Sequence, residues 1–205
     1  MPGSLAREIL DLTVEHVVLV FVALSLASLI GIPLGIWLSR KATWRGWVLG
    51  FANVMQTVPS LALFGLLIPL PFIGGIGKRT AIVALVLYAL LPILRNTLTG
   101  LLGVDPAVVE SAVAMGMTPR QRLLRVELPL AARTILAGVR IAAVTTVGTA
   151  TIAAAIGGGG LGVFIFRGLA SVDSNLILAG AVPAALLALL VDGGLSWVEK
   201  RFSPG

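Results

Sequence analysis

The chain has 205 residues, of which 58% are hydrophobic and 12% are charged, and its net charge is +6. A soluble domain of this length has too little interior to bury so much apolar surface, so the composition excludes an ordinary soluble protein and indicates a polytopic helical membrane protein. The basic residues form short clusters between apolar stretches, which is typical of cytoplasmic membrane loops rather than of a nucleic-acid-binding face.

The first predicted span covers residues 16–39, which carry no charged side chain apart from His16. Arg40, Lys41 and Arg45 follow it and predict a cytoplasmic end, so we expect the N-terminus outside. The chain has no cysteine and a single histidine, so we expect no metal site. We interpret His16 as a polar residue just before the span.

The second predicted span lies in the uncharged residues 46–77, with Trp44 and Trp47 as interfacial anchors. Pro59 is expected to break the backbone bonding near its middle. Four polar residues in this span are spaced three and four positions apart, which predicts one shared helical face: Asn53, Gln56, Thr57 and Ser60. Because amides are costly in hydrocarbon without partners, this face indicates either a transport pathway or hydrogen bonds between helices.

The third predicted span runs from Thr80 to Leu101, after Lys78 and Arg79 in an external turn. Arg95 lies near the cytoplasmic end, where we favour an anchor that snorkels to the interface over a functional role.

The polar loop that follows, residues 103–130, predicts two short helices. Asp105 and Pro106 form an N-cap and first helical position, and Gly116 ends that helix as a left-handed residue. Thr118 and Gln121 fit a capping box for the second helix. Three arginines make that helix basic: Arg120, Arg122 and Arg125.

We expect Leu128-Pro129 to end the second helix. The spacing from Ala112 to Gly116 also occurs in helix-turn-helix DNA-binding units. However, membrane spans on both flanks favour a loop that docks on a soluble partner.

The fourth predicted span lies in the uncharged residues 141–166. Thr145 and Thr149 share a face, and its many small residues predict close helix packing, including seams between two subunits. The glycines at 157–160 predict a sharp turn at the outer face.

The fifth span, Ser174 to Val198, is expected to be interrupted by Pro183 and to end inside. Asp192 could be a proton site, but we favour a position near the interface.

The string Glu110-Ser111-Ala112, with Gly116 and Leu128-Pro129, resembles the EAA loop of ABC importer permeases. In that family the loop inserts into a groove of the ATP-binding subunit. The family has alanine where this chain has Ser111, and both are small. The resemblance implies ATPase coupling by six residues: Glu110, Ser111, Ala112, Gly116, Leu128 and Pro129.

The strings QTVPSLAL and IGGGGLG resemble segments of the osmoprotectant permeases of the OpuB/OpuC and ProW type. Their solutes are glycine betaine, carnitine and choline. We therefore predict a substrate pathway lined by Asn53, Gln56, Thr57, Pro59, Ser60, Thr145 and Thr149.

Together these patterns and resemblances predict an all-α membrane protein with about five spans, of the type I, MetI-like permease fold. We expect one transmembrane domain, 1–205, with the N-terminus outside, the C-terminus cytoplasmic and the coupling loop at 103–130. We expect no catalytic residue, metal or cofactor in this chain, with ATP and Mg on a partner ATPase.

Further expected partners are an extracytoplasmic binding protein, a second permease subunit and the lipid of a bacterial inner membrane, without nucleic acid. An amino-acid importer and an ion-coupled secondary transporter are the alternatives. An intramembrane enzyme lacks a nucleophile–base pair.

Overall fold

A computed structural model describes residues 2–202, with side chains from residue 5 onward. Within this part of the chain the fold is all-helical, as predicted. The helices are α1 (Pro2–Arg40), α2 (Ala42–Thr57), α3 (Ser60–Leu67), α4 (Lys78–Leu102), α5 (Pro106–Ala114), α6 (Pro119–Arg122), α7 (Leu128–Ile152), α8 (Gly162–Ser171) and α9 (Ser174–Arg201). A π-helical turn, Leu123–Glu127, joins α6 to α7, and a 3₁₀ turn, Ala153–Ile156, follows α7. The predicted domain 1–205 extends beyond the described residues at residue 1 and at 203–205.

Four helical stretches are long and apolar enough to cross a membrane: Leu5–Arg40, Lys78–Leu102, Pro119–Ile156 and Ser174–Arg201. The pair α2 and α3 adds a fifth candidate, although the two helices are bent by 105°. The expectation of about five spans is thus confirmed, with the second one broken. Which side of the membrane holds each terminus stays a prediction.

Pro183 does not interrupt the last span, contrary to our expectation. Helix α9 continues through it from Ser174 to Arg201. A spanning helix tolerates proline because neighbouring groups and small backbone adjustments satisfy the carbonyl that the proline leaves without a donor.

Helix α4 lies at the centre of the bundle, packed against α1 on one side and α7 on the other. Glycines of α1 permit the first contact. A Cβ added at Gly31 would lie 2.8 Å from the Ile93 side chain, and one at Gly35 would lie 2.7 Å from that of Thr97. The two helices therefore approach more closely than larger residues would allow.

The small residues of α7 pack in the same way within this subunit. A Cβ at Gly138 would lie 2.8 Å from the Pro92 carbonyl oxygen of α4. Ala142 clusters with Ala89 of α4, and Ala150 is fully buried. Much of the small-residue surface that the sequence offered for a contact between subunits is therefore used inside this chain.

The short helix α3 is fixed to the bundle by Leu63 and Phe64, which are 3% and 0% exposed. Both belong to a core cluster with residues of α1, α4 and α7, including Ala84 and Val147. The second half of the broken span is therefore packed against the bundle through one face.

Candidate coupling site and substrate pathway

The first loop helix, α5, has the ends that the sequence predicts. The Asp105 carboxylate accepts from the Ala107 amide at 2.9 Å, and Pro106 is the first helical residue. Gly116 has φ +79° beyond its C-terminus. Two hydrogen bonds close this turn: Gly116 N to Val113 O at 2.9 Å and Met117 N to Ala112 O at 3.1 Å. This pairing is the Schellman motif, which confirms the left-handed role of Gly116.

Helix α5 exposes one face and buries the other. Glu110 and Ser111 are exposed, as are the apolar Val113 and Met115, at 52% and 70%. Ala112 is 1% exposed, and α5 contacts α6 and the π turn. Glu110 and Ser111 are therefore accessible on the surface of the loop, whereas the buried Ala112 lets α5 pack on the rest of the loop.

The second loop helix begins at the predicted capping box. The Thr118 amide donates to Gln121 Oε1 at 2.9 Å, and the Gln121 amide donates to Thr118 Oγ1 at 3.3 Å. The capping box satisfies two backbone donors that a helix N-terminus leaves free. It also fixes where the chain turns away from α5.

Leu128 and Pro129 do not end the second helix, and this expectation was wrong. The chain passes from α6 through the π turn directly into α7. In an α-helix the Pro129 ring would crowd the carbonyl four residues earlier. In the π turn the Leu128 amide donates to the carbonyl of Leu123 instead, and this widens the backbone just before the proline. The two residues therefore lie within a continuous helix at the base of the loop.

Glu127, in the π turn, was not identified from the sequence. It is 3% exposed, yet its carboxylate forms salt bridges with Arg40 and Arg122. Arg40 is the last residue of α1, 87 positions earlier in the chain. The only signal in the sequence was one acidic residue in an otherwise basic helix.

The second span breaks at Val58 and Pro59. Val58 is extended, with φ −66° and ψ 128°, as the residue before a proline prefers to be. Its carbonyl accepts from the Tyr88 hydroxyl of α4. Ser60 begins α3 beyond the bend, so the expectation that all four polar residues share one helical face was wrong.

The polar residues of α2 lie beside α4. Asn53 Oδ1 accepts from Arg95 at 2.9 Å, so Arg95 is joined to the polar face rather than acting only as an anchor. Gln56 and Thr57 are exposed, and the Thr57 hydroxyl donates to the Val54 carbonyl at 2.8 Å. This leaves the Gln56 amide as an exposed polar group near the bend.

Thr145 and Thr149 lie one turn apart on the same side of α7, where Thr145 is exposed and Thr149 is half-buried. Their hydroxyls donate to the carbonyls of Ile141 and Thr145, at 2.8 and 2.9 Å. Each hydroxyl oxygen can still accept, so this side of α7 is weakly polar without charge. Helix α3 contacts both α4 and α7, and on α7 it shares a core cluster with Val147 and Ala150, which lie on a different side of that helix from Thr145.

The glycine-rich segment forms the predicted turn, with positive φ at Gly157, Gly159 and Gly160. The Gly160 amide donates to Glu15 of α1 at 2.9 Å, and Glu15 also pairs with Lys78. The turn is therefore tied to α1 and to the start of α4.

His16 does not lie just before the first span, as we expected, but inside it. It lies within α1 and is 0% exposed. Its Nδ1 accepts from the Leu161 amide at 3.3 Å, and its Nε2 donates to the Val147 carbonyl at 3.1 Å. Both ring nitrogens are thus used in holding α1 against α7 and the glycine turn.

Asp192 forms an ion pair with Arg140 across α7 and α9, at 3.2 Å. Arg140 also pairs with Glu199 at 3.0 Å, so Asp192 belongs to a charged cluster near the end of α9. The position of Asp192 near the membrane interface stays a prediction. Among residues 2–202, no group of three or more His, Asp or Glu side chains is placed to hold a metal ion.

Comparison with known proteins places this geometry in a family. Residues 27–204 match the family model of the binding-protein-dependent transport system inner membrane component. The chain is 45% identical over 197 residues to the choline transport system permease protein OpuBB of Bacillus subtilis, covering 96% of this chain and 89% of that one. It is 46% identical over 179 residues to the carnitine transport permease protein OpuCD of Listeria monocytogenes, covering 87% and 79%.

The fold is also similar to a solved structure, an inward-facing conformation of the MetNI methionine ABC transporter. The TM-score is 0.84 at 25% identity, covering 98% of this chain and 96% of that one. The chain therefore belongs to the family of binding-protein-dependent transport system inner membrane components, and it is a multi-pass permease of an ABC importer.

Proposed function

We propose that this permease carries quaternary ammonium solutes such as glycine betaine, choline or carnitine. The supporting observation is similarity along nearly the whole chain to relatives that are named for these solutes, at about 45% identity. The family implies, in general terms, an ATPase and a substrate-binding protein as partners.

The ATPase is proposed to be a separate subunit that binds ATP and Mg and docks on α5. The sequence has no Walker A motif. The exposed face of α5 offers an acid, Glu110, beside apolar Val113 and Met115, a combination suited to insertion into a groove. Gly116 and the capping box fix the angle at which this face is presented.

The translocation route is proposed to lie between two permease subunits, identical or homologous. Helix α4 packs directly against α1, the broken span and α7, which leaves little room for a route within a single chain. The lining consists of Asn53, Gln56, Thr57, Pro59 and Ser60 at the broken span and Thr145 and Thr149 on α7. A solute whose nitrogen carries no hydrogen-bond donor suits such a weakly polar lining, because it needs few acceptors and would be held too tightly by several carboxylates.

The test is uptake by the complete complex of permease, ATPase and binding protein in proteoliposomes. We expect uptake of glycine betaine, choline or carnitine that requires ATP and stops with a non-hydrolysable analogue. Uptake that persists without ATP and is abolished by a protonophore would identify an ion-coupled transporter instead.

An amino-acid importer is the second candidate, because the fold is similar to that of a methionine transporter. Methionine is therefore included as a test solute. Its ATP-dependent uptake in place of the quaternary ammonium solutes would overturn the proposed specificity.

A further inference from the structure

A buried carboxylate joins the coupling loop to a helix that is not contiguous with the loop. Glu127 Oε1 accepts from Arg122 Nε at 2.8 Å, and its Oε2 accepts from Arg40 at the end of α1. The Glu127 side chain is 5% exposed, against 21% for Arg122 and 40% for Arg40. The glutamate is therefore the enclosed centre of the cluster, and both arginines depend on it for their partner.

Apolar packing supports the same junction. One cluster contains residues of α1, α4, the π turn and α7: Ile32, Ile36, Leu101, Leu123, Leu128, Ala131 and Ile135. The base of the loop is thus in contact with α1 as well as with α4 and α7, the two helices that the loop connects. If the loop moves, α1 must move with it, or this packing and the ion pairs break.

A carboxylate buried to this degree is stable only while its charge is compensated, and removing one partner of such a pair is strongly unfavourable. The π turn Leu123–Glu127 ends at this residue, two positions before Pro129, so the buried charge lies where the loop enters α7. Resting on the proposed ATPase docking, we infer that Glu127 is a positioning residue that transmits movement of the coupling loop to α1 through Arg40.

The first test compares Glu127→Gln and Arg40→Gln with the unmodified permease in the complete complex. Both substitutions remove one charge, and glutamine matches the length of Glu127 but is shorter than Arg40. We expect uptake per ATP hydrolysed to fall by about 2- to 30-fold, the range in which residues between two coupled sites usually act. Co-purification of the ATPase should stay normal, because neither residue lies on the exposed face of α5.

The matched control is Arg167→Gln. Arg167 also pairs with a glutamate of α1, Glu8, at 2.8 Å, but it lies in α8, far from the loop in the fold. We expect uptake per ATP to stay at the wild-type value in this variant. An equal loss in Arg167→Gln and Glu127→Gln would show a general structural effect and overturn the inference.

A charge exchange distinguishes positioning from simple packing. Arg40→Glu alone places two carboxylates together and should uncouple more strongly than Arg40→Gln. The double variant Arg40→Glu/Glu127→Arg restores an ion pair between positions 40 and 127, although Arg122 then faces a like charge, so we expect it to regain part of the uptake per ATP that Arg40→Glu loses. Wild-type coupling in both glutamine variants, or a double variant no better than Arg40→Glu, would overturn the inference.

A second readout does not depend on the transported solute. The chain has no cysteine, so Leu29→Cys, at a position 71% exposed on α1, can carry a single environment-sensitive fluorophore. ATP should change its emission in the otherwise unmodified complex and in Arg167→Gln, and this change should be lost in Glu127→Gln. The same change in Glu127→Gln, or none in the unmodified complex, would overturn the inference. A complex that shows the expected fluorescence pattern but takes up none of the solutes would contradict only the proposed function.

Discussion

The coupling loop and the glycine turn both depend on a glycine with positive φ, but for different reasons. Gly116 has φ +79° and Gly160 has φ +76°. A Cβ at Gly116 would meet nothing within 4 Å, whereas one at Gly160 would lie 2.9 Å from Nδ1 of His16. At the loop only the backbone conformation demands glycine, and at the glycine turn the close approach of α1 demands it as well.

This difference predicts that the glycine turn serves the stability of the subunit and that the coupling loop serves its assembly with partners. The glycine turn is held to α1 by Glu15 and the fully buried His16, which bond to backbone groups inside the subunit. The coupling loop exposes Val113 and Met115, which have space around them in this chain. Changes at the glycine turn should therefore act on folding, and changes at the loop should act on partner binding and transport. The predictions below test this separation, from the largest expected loss of stability to the smallest.

Gly160→Ala should be the most destabilising change, because it combines a strained left-handed alanine with an overpacked contact. We expect a loss of about 2–5 kcal/mol in the free energy of unfolding, measured by thermal or denaturant unfolding of the purified permease in detergent. Gly65→Ala is the control, since its added Cβ meets nothing within 4 Å and its φ is not in the positive range. Unchanged stability in Gly160→Ala would contradict the close approach.

His16→Leu should cost about 1–3 kcal/mol, because the buried Leu161 amide then loses its acceptor. The same unfolding measurement checks it. Thr13→Val, one turn earlier on α1, removes only a bond to the Ile9 carbonyl of its own helix and should have a smaller effect. If the two variants were equally stable, His16 would not hold the glycine turn.

Gly116→Val should strain the backbone by about 1–2 kcal/mol without a clash, so the permease still inserts and folds. The angle of α5 changes, and we expect weak ATPase binding or ATP hydrolysis without uptake. Co-purification, ATPase rate and uptake in proteoliposomes measure this. Gly116→Asn is the control, because asparagine tolerates the left-handed region better than valine. Normal values for all three measurements in Gly116→Val would remove the turn from the mechanism.

Gln56→Leu should change stability by only about 0.5 kcal/mol or less, as most exposed substitutions do. Asn53→Leu should cost about 0.5–1.5 kcal/mol, because Arg95 then loses Asn53 Oδ1 as its acceptor. We expect reduced solute uptake while the ATPase still co-purifies, because the changes lie at the broken span and not at the loop. Val54→Leu is the control, since this neighbouring side chain is exposed but apolar. Wild-type uptake rates in both leucine variants would mean that these amides serve packing rather than transport.

The sequence by itself determined the elements whose cause is local. Gly116, the Asp105 cap and the Thr118–Gln121 capping box each depend on neighbouring backbone groups, so their residue types predict them. The spans were predictable because a stretch of about 20 apolar residues has few alternatives to a membrane helix. The resemblance of short strings around Pro59 and the glycine turn was sufficient to predict the family.

Only the tertiary structure decided the features whose partners are distant in the chain. His16 meets Val147 and Leu161, more than 130 positions away, and Glu127 meets Arg40 across 87 positions. No spacing rule reports such contacts, because they follow from how α1 packs on the rest of the bundle. Which prolines break their helix also could not be predicted from the sequence. Pro59 breaks a helix, Pro183 does not, and Pro129 follows a π turn, because neighbouring helices decide whether the backbone groups freed by a proline find other partners.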